Sequence, residues 1–292
     1  MRILVTGSNG FVGKYLREEI ESRGHDFIGL DRESNDKITC ICDIRDAECI
    51  KKKVNEIVPD IVIHLAGIAR VDYKDPGIMY SINTTGTLNL AAALPEEVKF
   101  LYISSSLVYG NVSEDQLPIE ETTPVNPVNH YGASKAAAEN IIKSFICERG
   151  IQAVIARPFN HTGVGQTDDF VVPKIVNAFK RRDSSITLGN ISTKRDFLDV
   201  RDVVKAYMDI AENFRPGEIY NVSSGKEVMI SDIIAELQKI TGHNIKIENA
   251  NYLERKSEIL SVVGSSEKIQ NELNWKPRYS IEDTLQWMIK EI

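Results

Sequence analysis

Short apolar runs alternate with longer amphipathic stretches through the first half of the chain. Runs rich in Ile, Val and Leu predict strands at 2–6, 26–30, 38–42, 61–65, 99–104 and 152–156. Between them, apolar positions at helical spacing predict helices at 11–23, 49–58, 78–94 and 130–149. The strands are nearly continuous in apolar residues rather than alternating. That pattern means burial on both faces, hence a parallel sheet covered by helices. Right-handed crossovers then wind the helices onto both sides.

The pattern changes after Pro158. Loops lengthen and carry Gly163, Gly165, Pro173 and Gly189. Mixed elements follow: helices at 172–181, 200–212, 230–241, 265–273 and 281–292, and a short strand at 186–188. The expected class is α/β: a doubly wound parallel-sheet Rossmann fold with a smaller mixed α/β substrate-binding lobe. Residues 1–159 would form the first part, with a returning segment near 197–222. Residues 160–292 would form most of the second. The two would share a cleft at the C-terminal ends of the strands.

Composition narrows the field. The chain has 292 residues, 42% hydrophobic and 26% charged, as in an ordinary soluble globule. Its net charge of −7 offers no basic field for nucleic acid. No apolar run reaches the ~18 residues of a membrane span, so no membrane partner is expected. A strand beginning at residue 2 leaves no room for a secretory leader. Cys40, Cys42, Cys49 and Cys147 have no disulfide-framework spacing, and Cys40 and Cys42 read as buried small hydrophobes. The five His show no metal-ligand spacing, so no metal is expected. A cytoplasmic location follows.

Candidate chemistry begins at the first strand–helix junction. Gly7, Gly10 and Gly13 lie in Thr6-Gly7-Ser8-Asn9-Gly10-Phe11-Val12-Gly13. Glycine at such a turn removes the Cβ that would block a pyrophosphate, and the helix N-terminus offers free N–H groups. Asp31, at the end of the second strand, suits the adenosine ribose hydroxyls and repels a 2′-phosphate. The neighbouring Arg32 would instead welcome that phosphate. The expected cofactor is NAD(H) in preference to NADP(H). Asp43 and Ile44 suit an adenine edge, although Asp43 equally suits a helix cap. Ala66 and Gly67 are small where the chain must pass the cofactor.

Tyr131 and Lys135 are i and i+4 on a predicted helix, so they share a face. A phenol can return the proton that a reduced carbonyl oxygen needs, and a nearby ammonium lowers its pKa. Ser104, Ser105 and Ser106 end the fifth strand, where a hydroxyl could polarise that carbonyl.

These segments resemble the extended short-chain dehydrogenases/reductases that act on nucleotide sugars, the NAD-dependent epimerase/dehydratase family. The markers are the glycine segment, His64-Leu65-Ala66-Gly67, Ser104-Ser105-Ser106-Leu107-Val108-Tyr109-Gly110, Tyr131-Gly132-Ala133-Ser134-Lys135 and Arg157-Pro158-Phe159-Asn160. The resemblance makes Ser105 the polarising hydroxyl, with Ser106 as understudy. It adds Asn9, Phe11, Val12, Leu65, Asn83, Ser104 and Pro158 to the cofactor contacts. It also implies a homodimer through a four-helix interface built from 78–94 and 130–149.

Within that family, the stretch from Arg157 to Lys174 is similar to the GDP-4-keto-6-deoxymannose reductases and GDP-mannose dehydratases. So are the segments around Leu188, Arg195 and Arg255–Glu258. The implied substrate contacts are Arg70, Ser106, Asn160, Val171, Lys174, Leu188, Arg195, Arg255 and Glu258. Lys174, Arg195 and Arg255 would meet a diphosphate. Dehydratases of this group need a carboxylate two residues after the catalytic hydroxyl, and here that residue is Leu107. The expected reaction is reduction of the C4 keto group of a nucleoside-diphospho-4-keto-6-deoxyhexose by NAD(P)H. A nucleotide-sugar 4-epimerase, or a dehydrogenase on a dTDP- or CDP-sugar, is the alternative.

Overall fold

The computed structural model describes residues 1–33, 36, 38–249 and 261–291. The first half runs β1 (Arg2–Thr6), α1 (Phe11–Ser22), β2 (Asp26–Asp31), β3 (Thr39–Ile41), α2 (Ala47–Ile57) and β4 (Ile61–His64). It continues through α3 (Pro76–Tyr80), a π-helical turn (Ser81–Thr85), α4 (Gly86–Ala93), β5 (Lys99–Ile103), α5 (His130–Arg149) and β6 (Ala153–Pro158). The second half opens with β7 (Asn160–Thr162), α6 (Val171–Arg181), β8 (Ser185–Leu188), β9 (Lys194–Arg195), β10 (Phe197–Asp199) and α7 (Val200–Glu212). It ends with β11 (Ile219–Val222), β12 (Val228–Met229), α8 (Ile230–Thr241), β13 (Lys246–Asn249), β14 (Ser261–Val262), α9 (Glu267–Leu273) and α10 (Ile281–Lys290).

Seven strands form one sheet in the order β11-β6-β5-β4-β1-β2-β3. Every pairing in it is parallel. The chain starts in the interior at β1, moves outward through β2 and β3, then crosses back to β4. Strand order therefore reverses between β1 and β4, which opens a crevice at their C-terminal ends. The Thr6 hydroxyl and His64 Nδ1 lie 2.6 Å apart across this junction. Burial depresses the imidazole to about 3, so it stays neutral there.

Alternate residues of each strand feed opposite cores. Ile3 and Val5 pack with Leu16 and Ile20 of α1 and Val203 and Tyr207 of α7. Leu4 packs on the other side with Ile50 of α2, Leu90 of α4 and Ile142 of α5. These two cores make a helix–sheet–helix sandwich, as the doubly buried strands require. A third core joins α6, α8 and α10 around Ile175, Ile233 and Leu285. Arg201 stacks 3.8 Å from the ring centroids of both Tyr279 and Trp287, which pins the α10 segment to α7.

Two expectations need correction. The continuous helix expected at 78–94 is three pieces, α3, the π turn and α4. The π turn inserts an extra residue so that buried Asn83 can brace a neighbouring loop. Gly86 follows because a Cβ there would lie 2.5 Å from the Ile44 side chain. The cysteine reading also changes. Cys42 and Cys49 form a disulfide joining the chain after β3 to α2, with Cα atoms 6.1 Å apart. Cys40 and Cys147 are free thiols, and Cys40 is only half-buried.

Candidate active site

A cleft of about 670 Å3 lies over the β1/β4 reversal. The glycine segment forms one wall. Gly7 has a φ of +72°, and a Cβ on it would sit 2.7 Å from the Ala66 backbone nitrogen. A Cβ on Gly13 would sit 2.4 Å from the Ser8 carbonyl oxygen. Gly10 caps α1 with no side-chain bond, so the first-turn amides have no side-chain cap. A cradle that Cβ atoms would fill, at an uncapped helix N-terminus, fits a pyrophosphate. At the end of β2, the Asp31 carboxylate accepts the Asn9 amide at 3.0 Å and the Arg32 amide at 2.7 Å. That acid beside the glycine turn completes the fit to a dinucleotide.

Of the expected cofactor residues, Gly7, Gly10, Phe11, Val12, Gly13, Leu65, Gly67, Ser104, Tyr131, Lys135 and Pro158 line the cleft. Asn9, Asp31, Arg32, Asp43, Ile44, Ala66 and Asn83 lie outside its lining. Asp43 is held by the Arg45 guanidinium at 2.5 Å, and Asp46, not Asp43, caps α2. Asn83 accepts the Ile68 amide at 2.7 Å and donates to the Ser134 hydroxyl at 3.0 Å. It braces the loop after β4 against α5 rather than facing the cleft.

The three expected catalytic side chains converge. Asn129 caps α5 by accepting the Gly132 amide, which fixes the helix start under Tyr131. One turn on, Lys135 Nζ donates to the Ile103 carbonyl at 2.8 Å and sits 5.1 Å above the Tyr102 ring. Ser105 leaves β5 beside the Tyr131 phenol, near enough for its hydroxyl to favour the phenolate. Its Oγ also accepts the Leu107 amide at 3.2 Å.

Burial raises the Tyr131 phenol above its ordinary value, and the Ser105 hydroxyl pulls the other way. The expected lowering is thus not the net effect, because desolvation outweighs it. Burial pushes Lys135 down to about 8, opposed by the Glu139 carboxylate. The neighbouring serines serve elsewhere. Ser104 lines the cleft, but its hydroxyl donates to Glu139 Oε1 at 2.6 Å. Ser106 is buried and lies outside the lining.

Among expected substrate residues, Arg70, Asn160, Val171, Leu188 and Arg195 line the same cleft. Arg70 reaches across it to Asp169 at 2.9 Å. The Lys174 ammonium donates to the Thr187 carbonyl at 2.8 Å, and the residue lies outside the lining. Arg255 and Glu258 lie outside the described residues.

His161 and Tyr207 are among the lining residues that escaped sequence reasoning. His161 lies parallel to Phe11, with planes 7° apart, and its Nδ1 is 3.0 Å from the Phe159 carbonyl. Burial lowers its pKa, so it is neutral. The Asn160-His161 pair was its only signal. Tyr207 comes from α7, where its helical spacing reads as plain core. Among the described residues no group of three or more His, Cys, Asp or Glu could hold a metal ion. None of their helices is long and apolar enough to cross a membrane.

A parallel sheet with a glycine-lined crevice and a Ser/Tyr/Lys cluster defines a dinucleotide-dependent oxidoreductase of the extended short-chain type. The chain belongs to the NAD dependent epimerase/dehydratase family, whose pattern matches residues 3–223. It is 35% identical to the GDP-6-deoxy-D-mannose reductase of Pseudomonas aeruginosa, over 99% of this chain and 96% of that protein. It is 33% identical to the GDP-6-deoxy-D-talose 4-dehydrogenase of Aggregatibacter actinomycetemcomitans, over 99% and 97%. The solved structure of RMD from Pseudomonas aeruginosa complexed with NADPH superposes with a TM-score of 0.88. That alignment covers 99% of this chain and 98% of the other at 34% identity.

Proposed function

We propose that the protein reduces the C4 keto group of a nucleoside-diphospho-4-keto-6-deoxyhexose, of the GDP-4-keto-6-deoxymannose type, with NADH favoured over NADPH. The observation that carries this reading is the convergence of Ser105, Tyr131 and Lys135 beside Leu107. The bound dinucleotide supplies the hydride to C4. Ser105 Oγ donates a hydrogen bond to the C4 oxygen and holds it in place. Tyr131 Oη gives its proton to that oxygen, so the carbonyl leaves as a secondary alcohol. A phenol held above its ordinary pKa is protonated at neutral pH, as a donor must be. Lys135 contributes positive charge beside Tyr131 and restores stability to the phenolate left behind. Leu107 has no proton to move, which disfavours elimination of water.

The glycine turn, the α1 N-terminus and Asp31 would hold the dinucleotide, and residues 160–292, apart from 197–222, would hold the sugar nucleotide. The preference for NADH rests on the Asp31 carboxylate; RMD, by contrast, is complexed with NADPH. The two relatives named above make or use sugars of opposite C4 configuration, so the face of the carbonyl that is attacked is the open variable. A homodimer through residues 78–94 (α3, the π turn and α4) and α5 is part of the proposal, and it would cover Ile78 and Leu88, each 39% exposed. A monomeric mass in sedimentation would dismiss it.

The test is stoichiometry. Purified protein is mixed with GDP-4-keto-6-deoxymannose and either reduced dinucleotide, and nicotinamide absorbance is followed alongside sugar conversion. A reductase oxidises one dinucleotide per sugar. Sugar conversion without net oxidation identifies an epimerase and refutes the proposal.

A further inference from the structure

Tyr207 is a fully buried tyrosine that belongs to the lining of the cleft. Its residue has no solvent exposure, yet it lines the cleft wall opposite α5. Its hydroxyl has no hydrogen-bond partner among the described residues. Buried hydroxyls are almost always satisfied, so an orphan at a ligand cleft needs a cause. The ring is held firmly: it comes from the middle of α7 and packs in the core shared with α1 and the sheet. A rigid side chain with an idle donor is what a preorganised contact looks like before its ligand arrives.

Its position along the cleft selects the ligand atom. Tyr207 lies within electrostatic reach of Tyr131, whose ionised form would disfavour a second phenolate. Asp31, where an adenosine ribose would belong, lies outside the cleft's lining, beyond the glycine turn. The idle hydroxyl is therefore at the end where hydride is delivered. The neutral polar group that a nicotinamide carries there is its carboxamide. Burial raises the Tyr207 pKa, so the hydroxyl remains a donor across the working range of pH.

We propose that the Tyr207 hydroxyl donates a hydrogen bond to the nicotinamide carboxamide and so sets which ring face meets the substrate carbonyl. The inference rests on the dinucleotide reading above and adds to it a contact from α7, outside the glycine turn and the Ser/Tyr/Lys cluster. An idle buried hydroxyl penalises the ligand-free protein, and the same hydroxyl stabilises the complex. Replacing it with hydrogen should therefore act in opposite directions in the two states.

The test uses the full chain and Tyr207→Phe, with NADH and ADP-ribose as calorimetric probes. ADP-ribose keeps both phosphates and both riboses but lacks the nicotinamide. Expected are a loss of about tenfold in NADH affinity, ADP-ribose affinity within about twofold of wild type, and a ligand-free melting temperature equal to or above wild type. Equal losses for both probes would place the hydroxyl on a phosphate or ribose and overturn the proposal. So would unchanged NADH affinity, which would mean the hydroxyl serves only an internal water. A lower ligand-free melting temperature would show a partner inside the protein and overturn it as well. Failure of the wild-type protein to bind either probe is a separate result, and it refutes the dinucleotide reading itself.

Discussion

Arg157 and Glu139 form a two-pronged ion pair in the interior beneath the active-site helix. Arg157 Nε donates to Oε1 at 2.9 Å and Nη2 donates to Oε2 at 2.6 Å. Both residues are 1% exposed. The pair ties β6 to α5, and Ser104 and Tyr109 complete its hydrogen bonds. Glu139 is one turn from Lys135, and its charge raises the Lys135 pKa against burial. The same carboxylate thus anchors the fold and tunes the site.

Removing that carboxylate should hurt both. Glu139→Ala leaves a guanidinium buried without its partner, at a cost of roughly 3–5 kcal/mol. The melting temperature should fall by on the order of 10 °C. Glu139→Gln should lose less stability but move the basic limb of the pH–rate profile to lower pH. A melting curve and a kcat/KM profile check both outcomes.

The pH dependence follows from Lys135. Its ammonium is charged below about 8 and neutral above. kcat/KM should therefore fall as pH rises through about 8, since the phenolate loses its positive neighbour. Stability moves the opposite way. The unfolded lysine keeps its proton up to about 10.5 while the folded one releases it near 8. Between these values the unfolded state binds more protons, so this residue makes stability rise with pH. Ligand-free Lys135→Met should be at least as stable as wild type near neutrality, with its advantage shrinking from pH 8 to 10.5. Urea midpoints across that range give the answer.

Cofactor choice should turn on Asp31. On the proposed reading, Asp31→Ser removes the carboxylate that would meet the adenosine ribose and leaves the neighbouring Arg32 to meet a 2′-phosphate. NADH affinity should drop about tenfold, because two ribose hydroxyls lose a charged acceptor, and NADPH affinity should rise. Titration with both dinucleotides measures the change in ratio.

Gly13→Ala tests the turn. Its Cβ would press on the Ser8 carbonyl oxygen at 2.4 Å and the Gly7 carbonyl oxygen at 2.8 Å, both backbone atoms. The turn must open to admit it. Stability should fall by about 1–3 kcal/mol. Dinucleotide affinity should fall with it, which calorimetry would show.

Much of the architecture is legible in the residues alone. The bounds of β1, α5, α7 and α8 follow from apolar spacing. The glycine turn and the i, i+4 pair of Tyr131 and Lys135 are equally plain. The small strands β9, β12 and β14 are not, because two residues carry no alternation to read. The π turn is hidden because its helical faces persist on both sides of the inserted residue. The bond from Lys174 to the Thr187 carbonyl was not legible, since a cation's sequence position does not say which carbonyl it will meet. Tyr207 was hidden for the opposite reason: its ring satisfies the core pattern, and only the structure shows that its hydroxyl is idle.

The most direct measurement sets Tyr131→Phe beside wild type in two assays: dinucleotide binding, and oxidation of the reduced dinucleotide by GDP-4-keto-6-deoxymannose. Affinity should stay within about twofold while turnover falls by about 10²–10⁴. Turnover within tenfold of wild type would contradict the role of this phenol as proton donor, and with it the carbonyl-reduction chemistry.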